Sequence, residues 1–579
     1  MSEQKDKKWV NFVEDYFRES EKLHNNKVEE FNNFYELYNC IPETTENSDT
    51  EIFVPKSYEQ VETIKPRLCS IFMLNPNRII KIYPKNNNYF GDTTKTELLL
   101  FQQYKDLNIP RKLYDYYDQC AITGTTMGIL TWRYEEDKKG NILYDEPFFY
   151  VVDMYDVYVD PNASDIDDMR YIIFRRDVTR EYLERLQSQH YLNISEVPKH
   201  GGRKTNQEKK IRDEQSGKES DNFEEGDWFE LKDCWIREYK DGVESIRNVV
   251  TIDGTYEVRN VTNKFYKYEK KVWKPYLPFI KSEYVKRPFL FYGTGVIFPI
   301  ESLQKELNAK RRMRIDNAKF LIQKTFIATE GAIPDKMKDL KLKAGKINIF
   351  NRIDEQDGIR ELKFSDLSPS LYRDEAILNQ DIQNATGASD YVSGGTGASG
   401  ETATETSIKT NQAMTRMNFS FKMMAESGIQ KLFEHLIYLN QQFLDKPKQI
   451  KAFNDEEEMD VIIYPEDIQG EWDVKVEIDI NNFDTATERR SLIELLQMLK
   501  GSPFINEGQL IEEVIKTYKL PNIGKIINKN PPPEMLQAYM MGQGGMGAQG
   551  GSPPRIRGAQ STAPGIPVEK QARTQGQVM

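Results

Sequence analysis

The sequence is poor in the residues from which metal centres and nucleophilic triads are built. Its 579 residues include four cysteines and four histidines. Cys40, Cys69, Cys120 and Cys234 lie far apart and form no Cys-x-x-Cys. That excludes a zinc ribbon and gives no support to a disulfide framework. His24, His190, His200 and His435 are too dispersed for a metal set or a triad, and His435, within a helical pattern, reads as a packed or surface side chain. Gly-x-Ser-x-Gly, His-Glu-x-x-His and a strand-borne Gly-x-Gly-x-x-Gly are all missing, so no enzyme class and no cofactor are indicated. No run approaches 18 apolar residues, which excludes a membrane-spanning helix. The N-terminal MSEQKDKKWVNFVEDYF has no apolar core of a signal peptide. These absences predict a soluble protein made inside the cell, with no membrane partner.

What the chain does have is charge. Lys plus Arg total 79 against 91 Asp plus Glu, a formal net charge of −12. A uniformly basic coat for nucleic acid is excluded, although local basic patches are not. Hydrophobic residues make up 38%, enough for a core, and the length predicts about four structural units.

Periodicity predicts a mixed α+β first half. Apolar residues at Val10, Val13, Phe17, Val28, Phe31, Phe34, Tyr35 and Tyr38 mark a helix over about 9–38. A second helical stretch covers 95–119, interrupted by Pro110. Strands rich in β-branched and aromatic residues follow, with a Gly140-Asn141 turn, a strand YIIFRRDV and a helix beginning near Thr179. Residues 201–227 are almost wholly charged or small and read as a solvated loop. Strands resume to about Phe291, with hairpin signals at Asp241-Gly242 and Asp253-Gly254.

The second half reads as long helices. One begins at Pro299 and runs over 299–323; a strand-like insert of about 45 residues follows, then a helix over 370–386. After a Gly-rich loop, a helix of about 60 Å is expected from Thr402 to Leu444. Its face is Met417, Phe421, Met424, Gly428, Leu432, Leu436, Leu439 and Phe443. A strand pair around 460–481 and helices over 484–500 and 507–519 close the folded part. The Gly-, Pro- and Gln-rich tail from Pro531 reads as disordered.

Two motifs fail on inspection. In GASDYVSGGTGASGET, Gly395, Gly400 and Thr402 match a phosphate loop, but Glu401 stands where the lysine belongs. A carboxylate there repels phosphate, and the loop follows a helix instead of a strand. Asp160, Asn162, Ser164 and Asp168 alternate like calcium ligands, yet Asp165 replaces the glycine at position six and Tyr171 the glutamate at twelve. A turn held by Asx hydrogen bonds is expected instead.

The helix at 299–322 is more informative. Lys305, Arg312 and Lys319 recur every seven residues, and Lys310, Arg311 and Arg314 thicken the charge between them. Between Asn308 and Arg314 only Ala309 and Met313 are apolar. Such a helix is not wholly buried in its own subunit. It is either a solvated face or a face turned toward other subunits or a polyanion.

Three segments together resemble the portal, or head-to-tail connector, proteins of tailed double-stranded-DNA bacteriophages. VYVDPNASDIDDMRYIIFRRDVTREYLERL is similar to the Asp-Pro turn, strand and helix of the portal wing. YGTGVIFPIESLQKELNAKRRMRIDNAKF resembles the entry to the first stem helix, with its Gly-x-Gly and its Gln304-x-x-x-Asn308. NATGASDYVSGGTGASGETATETSIKTNQAMTRMNFSFKMMAESG resembles the end of the second stem helix, the tunnel loop and the long helix beyond. The likeness spans roughly residues 50–520.

The resemblance implies a wing over 1–298, stem helices over 299–322 and 370–386 and a clip over 323–369. It further implies a tunnel loop over 387–402, a long helix over 403–445, wing return strands over 446–483, a crown over 484–530 and a tail over 531–579. It implies a ring of about twelve subunits at one vertex of the virion, assembled in the host cytoplasm. Double-stranded DNA passes through it in both directions without being read. The implied partners are the terminase, a head-completion or tail adaptor, the major capsid protein and a scaffold; the portal itself catalyses nothing. Tyr391, Ser393, Gly394, Gly395, Gly397 and Gly400 of the tunnel loop are the expected DNA contacts, with stem cations Lys305, Lys310, Arg311, Arg312, Arg314 and Lys319. Physics agrees, since each neutralised phosphate adds affinity that would stall a sliding duplex. The competing readings are a terminase-like packaging enzyme and a capsid or tail protein without DNA contact.

Overall fold

The computed structural model describes residues 3–43, 50–73, 80–85, 91–136, 139–187, 191–200, 228–262, 264–322, 325–328, 359–362, 370–388, 415–454, 457–476, 492–498, 511 and 514–515. The charged segment 201–227, most of the insert 323–369 and the tail 531–579 lie outside them. The chain forms two units, 1–491 and 492–579. In the second, 492–498 are helical.

The first unit is α+β. Helix α1 (Glu3–Tyr38) divides its apolar face between two cores. Val13 packs with Tyr158, Tyr171, Ile173, Cys234 and Val249, whereas Phe31, Phe34 and Leu37 enter the principal core. Helices α2 (Lys56–Met73), α3 (Thr93–Asp106) and α4 (Ile109–Thr123) follow. The helical stretch over 95–119 breaks as expected, at Leu107 and Asn108 just ahead of Pro110. Pro110 sits in the first turn of α4, where its missing N–H is no loss. Leu113, Tyr116, Tyr117, Cys120, Ala121 and Ile122 make α4 the buried axis of the principal core.

Strands β2 (Thr125–Glu136) and β3 (Ile142–Val152) form a hairpin, and β11 (Phe279–Glu283) pairs with the other edge of β2. A five-stranded antiparallel sheet runs in sequence order through β4 (Val157–Val159), β5 (Tyr171–Thr179), β6 (Trp228–Lys240), β7 (Val243–Ile252) and β8 (Tyr256–Thr262). Asp241 and Gly242 turn β6 into β7 with φ of 53° and 77°, the left-handed pair a tight hairpin requires. Helix α5 (Arg180–Gln187) leaves β5 at Thr179. A small hairpin, β9 (Tyr266–Glu269) with β10 (Val272–Pro275), precedes β11.

Helix α6 (Glu301–Ile322) follows a 3₁₀ turn containing Pro299, and α7 (Ser370–Thr386) lies against it. Between them β12 (Thr325–Ala328) pairs with β13 (Ile359–Leu362). Residues 415–424 are helical and pass through a π-helical segment, Ala425–Gln430, into α8 (Lys431–Phe443). The chain ends this unit with β14 (Lys448–Asn454), β15 (Glu457–Ile463), α9 (Pro465–Ile468) and β16 (Trp472–Val476).

Two local expectations change. The strand pair expected around 460–481 is split: β15 pairs with β14, and β16 with β1 (Ile80–Pro84). Pro465 starts the short α9, and the Trp472 indole N–H donates to Ile468 O at 2.8 Å, which turns the chain away from β15. The long helix also departs from a regular α-helix. From Met424 its face steps by four, four and four to Gly428, Leu432 and Leu436. A pure α-helix would rotate these off the face, and the wider π turn restores them. At its centre Gly428 touches the core so closely that a Cβ would lie 2.7 Å from Ser282 Oγ and 3.2 Å from the Tyr117 hydroxyl.

Candidate functional site

The α6–α7 pair is reached through three glycines that let backbones touch. Gly124 ends α4 with φ 85°. A Cβ on Gly295 would lie 2.6 Å from both Ala121 O and Ile122 O; one on Gly293 would lie 2.8 Å from Gly124 O. Val296 N donates to Ala121 O at 2.8 Å. The Gly-x-Gly of the sequence is therefore a seam between the end of α4 and the approach to α6.

Gln304 and Asn308 have an equally concrete role. Both are buried. Gln304 Nε2 donates to Val54 O at 2.7 Å and to Asn308 Oδ1 at 2.9 Å. Ser57 N donates to Gln304 Oε1, and Val54 N to Asn308 Oδ1, each at 3.0 Å. Two amides one turn apart thus satisfy backbone groups at the start of α2. Leu307, with Ile300, Leu378 and Ile382, forms the apolar seam between α6 and α7.

The cations of α6 are answered largely within the subunit. Lys305 pairs with Glu301 at 2.8 Å, Lys310 with Glu306 at 2.8 Å and with Asp374 of α7 at 3.5 Å, and Lys319 with Asp316 at 3.7 Å. Arg311 and Arg314 share Glu375 of α7, Arg314 at 2.6 Å. The hydrogen bond to Glu306 holds Lys310 above its ordinary pKa, whereas burial and then Arg314 draw Arg311 below its own. Arg312 does not share the exposed face of Lys305 and Lys319. It is buried, while their side chains are 41% and 46% exposed. Met313 and Ile322, nine residues apart and so on opposite sides of α6, are exposed, as is Ile377 of α7.

At the far end of α7, Gly387 (φ 81°) caps the helix, its N–H donating to Gln383 O at 2.8 Å. Arg416 reaches across from the next helix and donates to Asn384 O and Ala385 O, both at 2.8 Å. A cation at a helix C-terminus is favourably placed. The end of α7 and the start of the next helix are therefore clasped together, and Arg416 is the residue that sequence reasoning missed. Tyr391, Ser393, Gly394, Gly395, Gly397 and Gly400 lie outside the described residues.

The acidic turn is an Asx structure. Asp160 accepts from Asn162 N at 3.1 Å and binds Arg170 through Nε at 2.7 Å and Nη2 at 2.8 Å; Asp168 accepts from Ser164 and Asp165 N. Arg170 lies on the sheet side of this turn, and its hydrogen bonds help hold Asp160 below its ordinary pKa against burial. Among the described residues no cluster of three or more His, Cys, Asp or Glu is arranged for a metal, and no helix is long and apolar enough to cross a membrane.

A family model described as Phage SU10 portal protein matches residues 139–549. The matched span takes in all three segments discussed above and begins after α4. No curated protein matches the sequence.

Proposed function

The chain belongs to the phage SU10 portal protein family, and from that premise we propose that it assembles into a cyclic ring forming the DNA channel at one capsid vertex. The family is one of structural virion proteins that serve DNA packaging. For this chain we assign the wing to 1–298, the stem to 299–322 and 370–386 and the clip to 323–369. The tunnel loop takes 387–402, the long helix 403–445, the wing return 446–483, the crown 484–530 and a tail 531–579. The ring takes about twelve copies, docks the terminase and later the adaptor through the clip, and carries out no catalysis itself.

The observation that carries this reading is the α6–α7 pair. Its cations are matched to carboxylates of the same subunit, so a duplex beside it meets a muted potential, as sliding requires. Its exposed Met313, Ile322 and Ile377 are left for neighbouring copies to cover. The clasp of Arg416 on α7 supports a loop between 388 and 415 that leaves and returns at one point. We assign the channel contacts to Tyr391, Ser393, Gly394, Gly395, Gly397 and Gly400, with Lys305, Lys310, Arg311, Arg314 and Lys319 as the candidate cations; buried Arg312 is left out. Family membership favours this over a terminase-like enzyme or a capsid or tail protein without DNA contact.

Native mass spectrometry of the purified chain, paired with negative-stain imaging, tests it. A single large cyclic species with a central hole is expected. Monomers and dimers alone at assembly concentrations would overturn the reading.

A further inference from the structure

The connection between β11 and α6 carries a side chain that folding does not use. Residues 287–290 form a turn in which Leu290 N donates to Arg287 O at 3.3 Å. Pro288 stands second in the turn, and Phe289, third, has φ 64°. A proline followed by a positive φ is the type II pattern, whose third position calls for Gly or Asn. A bulky L-residue there crowds its own backbone. Phe289 is also 93% exposed, more than any other large hydrophobic side chain among the described residues. The backbone would be better served by glycine, and water disfavours the ring.

The turn that carries the ring is nonetheless anchored at its base. Val285 and Thr294 close the base of the loop through hydrogen bonds of 3.1 and 3.0 Å. Phe291 and Tyr292, immediately after the turn, are buried. Lys281 lies 4.3 Å from the Phe291 ring centroid and donates to Phe291 O at 3.3 Å. An exposed aromatic on so anchored a base loses little freedom when bound, which is the property of an interface hot spot.

We propose that Phe289 is a preorganised peg that inserts into the adjacent copy of this chain. The inference rests on the ring assembly proposed above. A second copy is the occupant for two reasons. The turn reaches the entry to the stem: the Arg287 guanidinium lies 5.7 Å from the ring of half-exposed Phe298, which leads directly into α6. The tip also carries Arg287, Lys286 being paired with Asp165 at 3.5 Å, and the net charge of −12 makes a second copy a partner of opposite sign for it.

The test sets two readouts against each other on the full chain. In Phe289→Gly the strained position receives the residue its backbone favours, so the dissociated subunit should melt no lower than wild type. Assembly, followed by mass photometry across a dilution series, should need a protein concentration about tenfold higher or more. Phe289→Tyr should assemble as wild type. Wild-type assembly by Phe289→Gly would overturn the peg while leaving the ring reading intact. A lower melting temperature of the variant subunit would overturn it too, by giving the ring a role in the fold. Normal rings that fail only to enter capsids would overturn the choice of a second copy as occupant. A wild-type chain that never assembles would instead remove the ring reading itself.

Discussion

The helix through residues 415–443 and helix α6 are both long, yet the buried side chains of the first are mostly apolar and those of the second mostly polar. The first sends Met417, Phe421, Met424, Leu432, Phe433, Leu436 and Leu439 into its own subunit's core. The second buries Gln304, Asn308 and Arg312 there and leaves Met313 and Ile322 in water. The first is held mainly by apolar packing, although Phe419 and Met423 are left exposed. The second is fixed by the Leu307 seam together with hydrogen bonds and ion pairs on its inner side, and Met313 and Ile322 remain exposed. On the ring reading proposed above, subunit stability is assigned mainly to the first helix and assembly mainly to the second.

The largest expected effect separates those two assignments. Phe433 is buried against Phe101 and Tyr104, with ring centroids 6.4 and 5.8 Å away. Phe433→Ala should lower subunit stability by about 4 kcal/mol in denaturant unfolding. Met313→Ser, on α6, should change subunit stability by less than about 0.5 kcal/mol while weakening assembly. Equal losses of subunit stability in the two variants would erase the distinction between the helices.

Much of this division is visible in the amino-acid pattern, because both helices announce themselves by what recurs along them. The apolar repeat from Met417 to Phe443 predicts a buried face, and even its three successive steps of four carry the mark of the π turn. The polar centre of α6 predicts incomplete burial. What the pattern does not reveal is partnership across long separations. β16 pairs with β1 across almost 400 residues, and Arg416 closes α7; neither has a local signature. The heptad spacing of Lys305, Arg312 and Lys319 misleads about exposure for a related reason. Spacing says which side chains share a helix face, but the packing of α7 and the start of α2 decides how much of that face stays open. Nor does the sequence explain why Gln304 and Asn308 are amides until Val54 and Ser57 are seen beside them.

The long helix also contains a titratable group that sharpens the comparison. His435 is buried beside Tyr276 and Tyr438, and burial, then Lys431 and Lys267, pushes its pKa from 6.5 down to about 3. Below pH 6.5 the unfolded chain takes up a proton that the folded chain refuses. The stability is thus fully present above pH 6.5 and declines as the pH falls toward 3. At about 1.4 kcal/mol per pH unit, the loss reaches about 2 kcal/mol at pH 5. His435→Phe should flatten this acid limb in unfolding measurements from pH 7 to 5. An unchanged limb would show that other groups cause it.

The smallest expected effect lies on α6, where polar groups take the place of the apolar row. Gln304→Leu keeps the bulk but removes the acceptor for Ser57 N, leaving that buried group without its side-chain partner, while half-buried Val54 O loses one donor and keeps Lys56 N at 2.7 Å. An unsatisfied buried group costs on the order of 1–3 kcal/mol, and the added apolar contact offsets part of that, so a net loss of about 1–2 kcal/mol is expected. Because Gln304 also donates to Asn308, the two sites share one network. Gln304→Leu with Asn308→Leu should therefore cost less than the sum of the single changes. Amide exchange at Val54 and Ser57 should quicken, Ser57 in Gln304→Leu and Val54 in Asn308→Leu, with the core amides of α8 unaffected. Strict additivity, or protection at 54–57 equal to wild type, would mean that the start of α2 is held by its own packing and that the amides of α6 are bystanders.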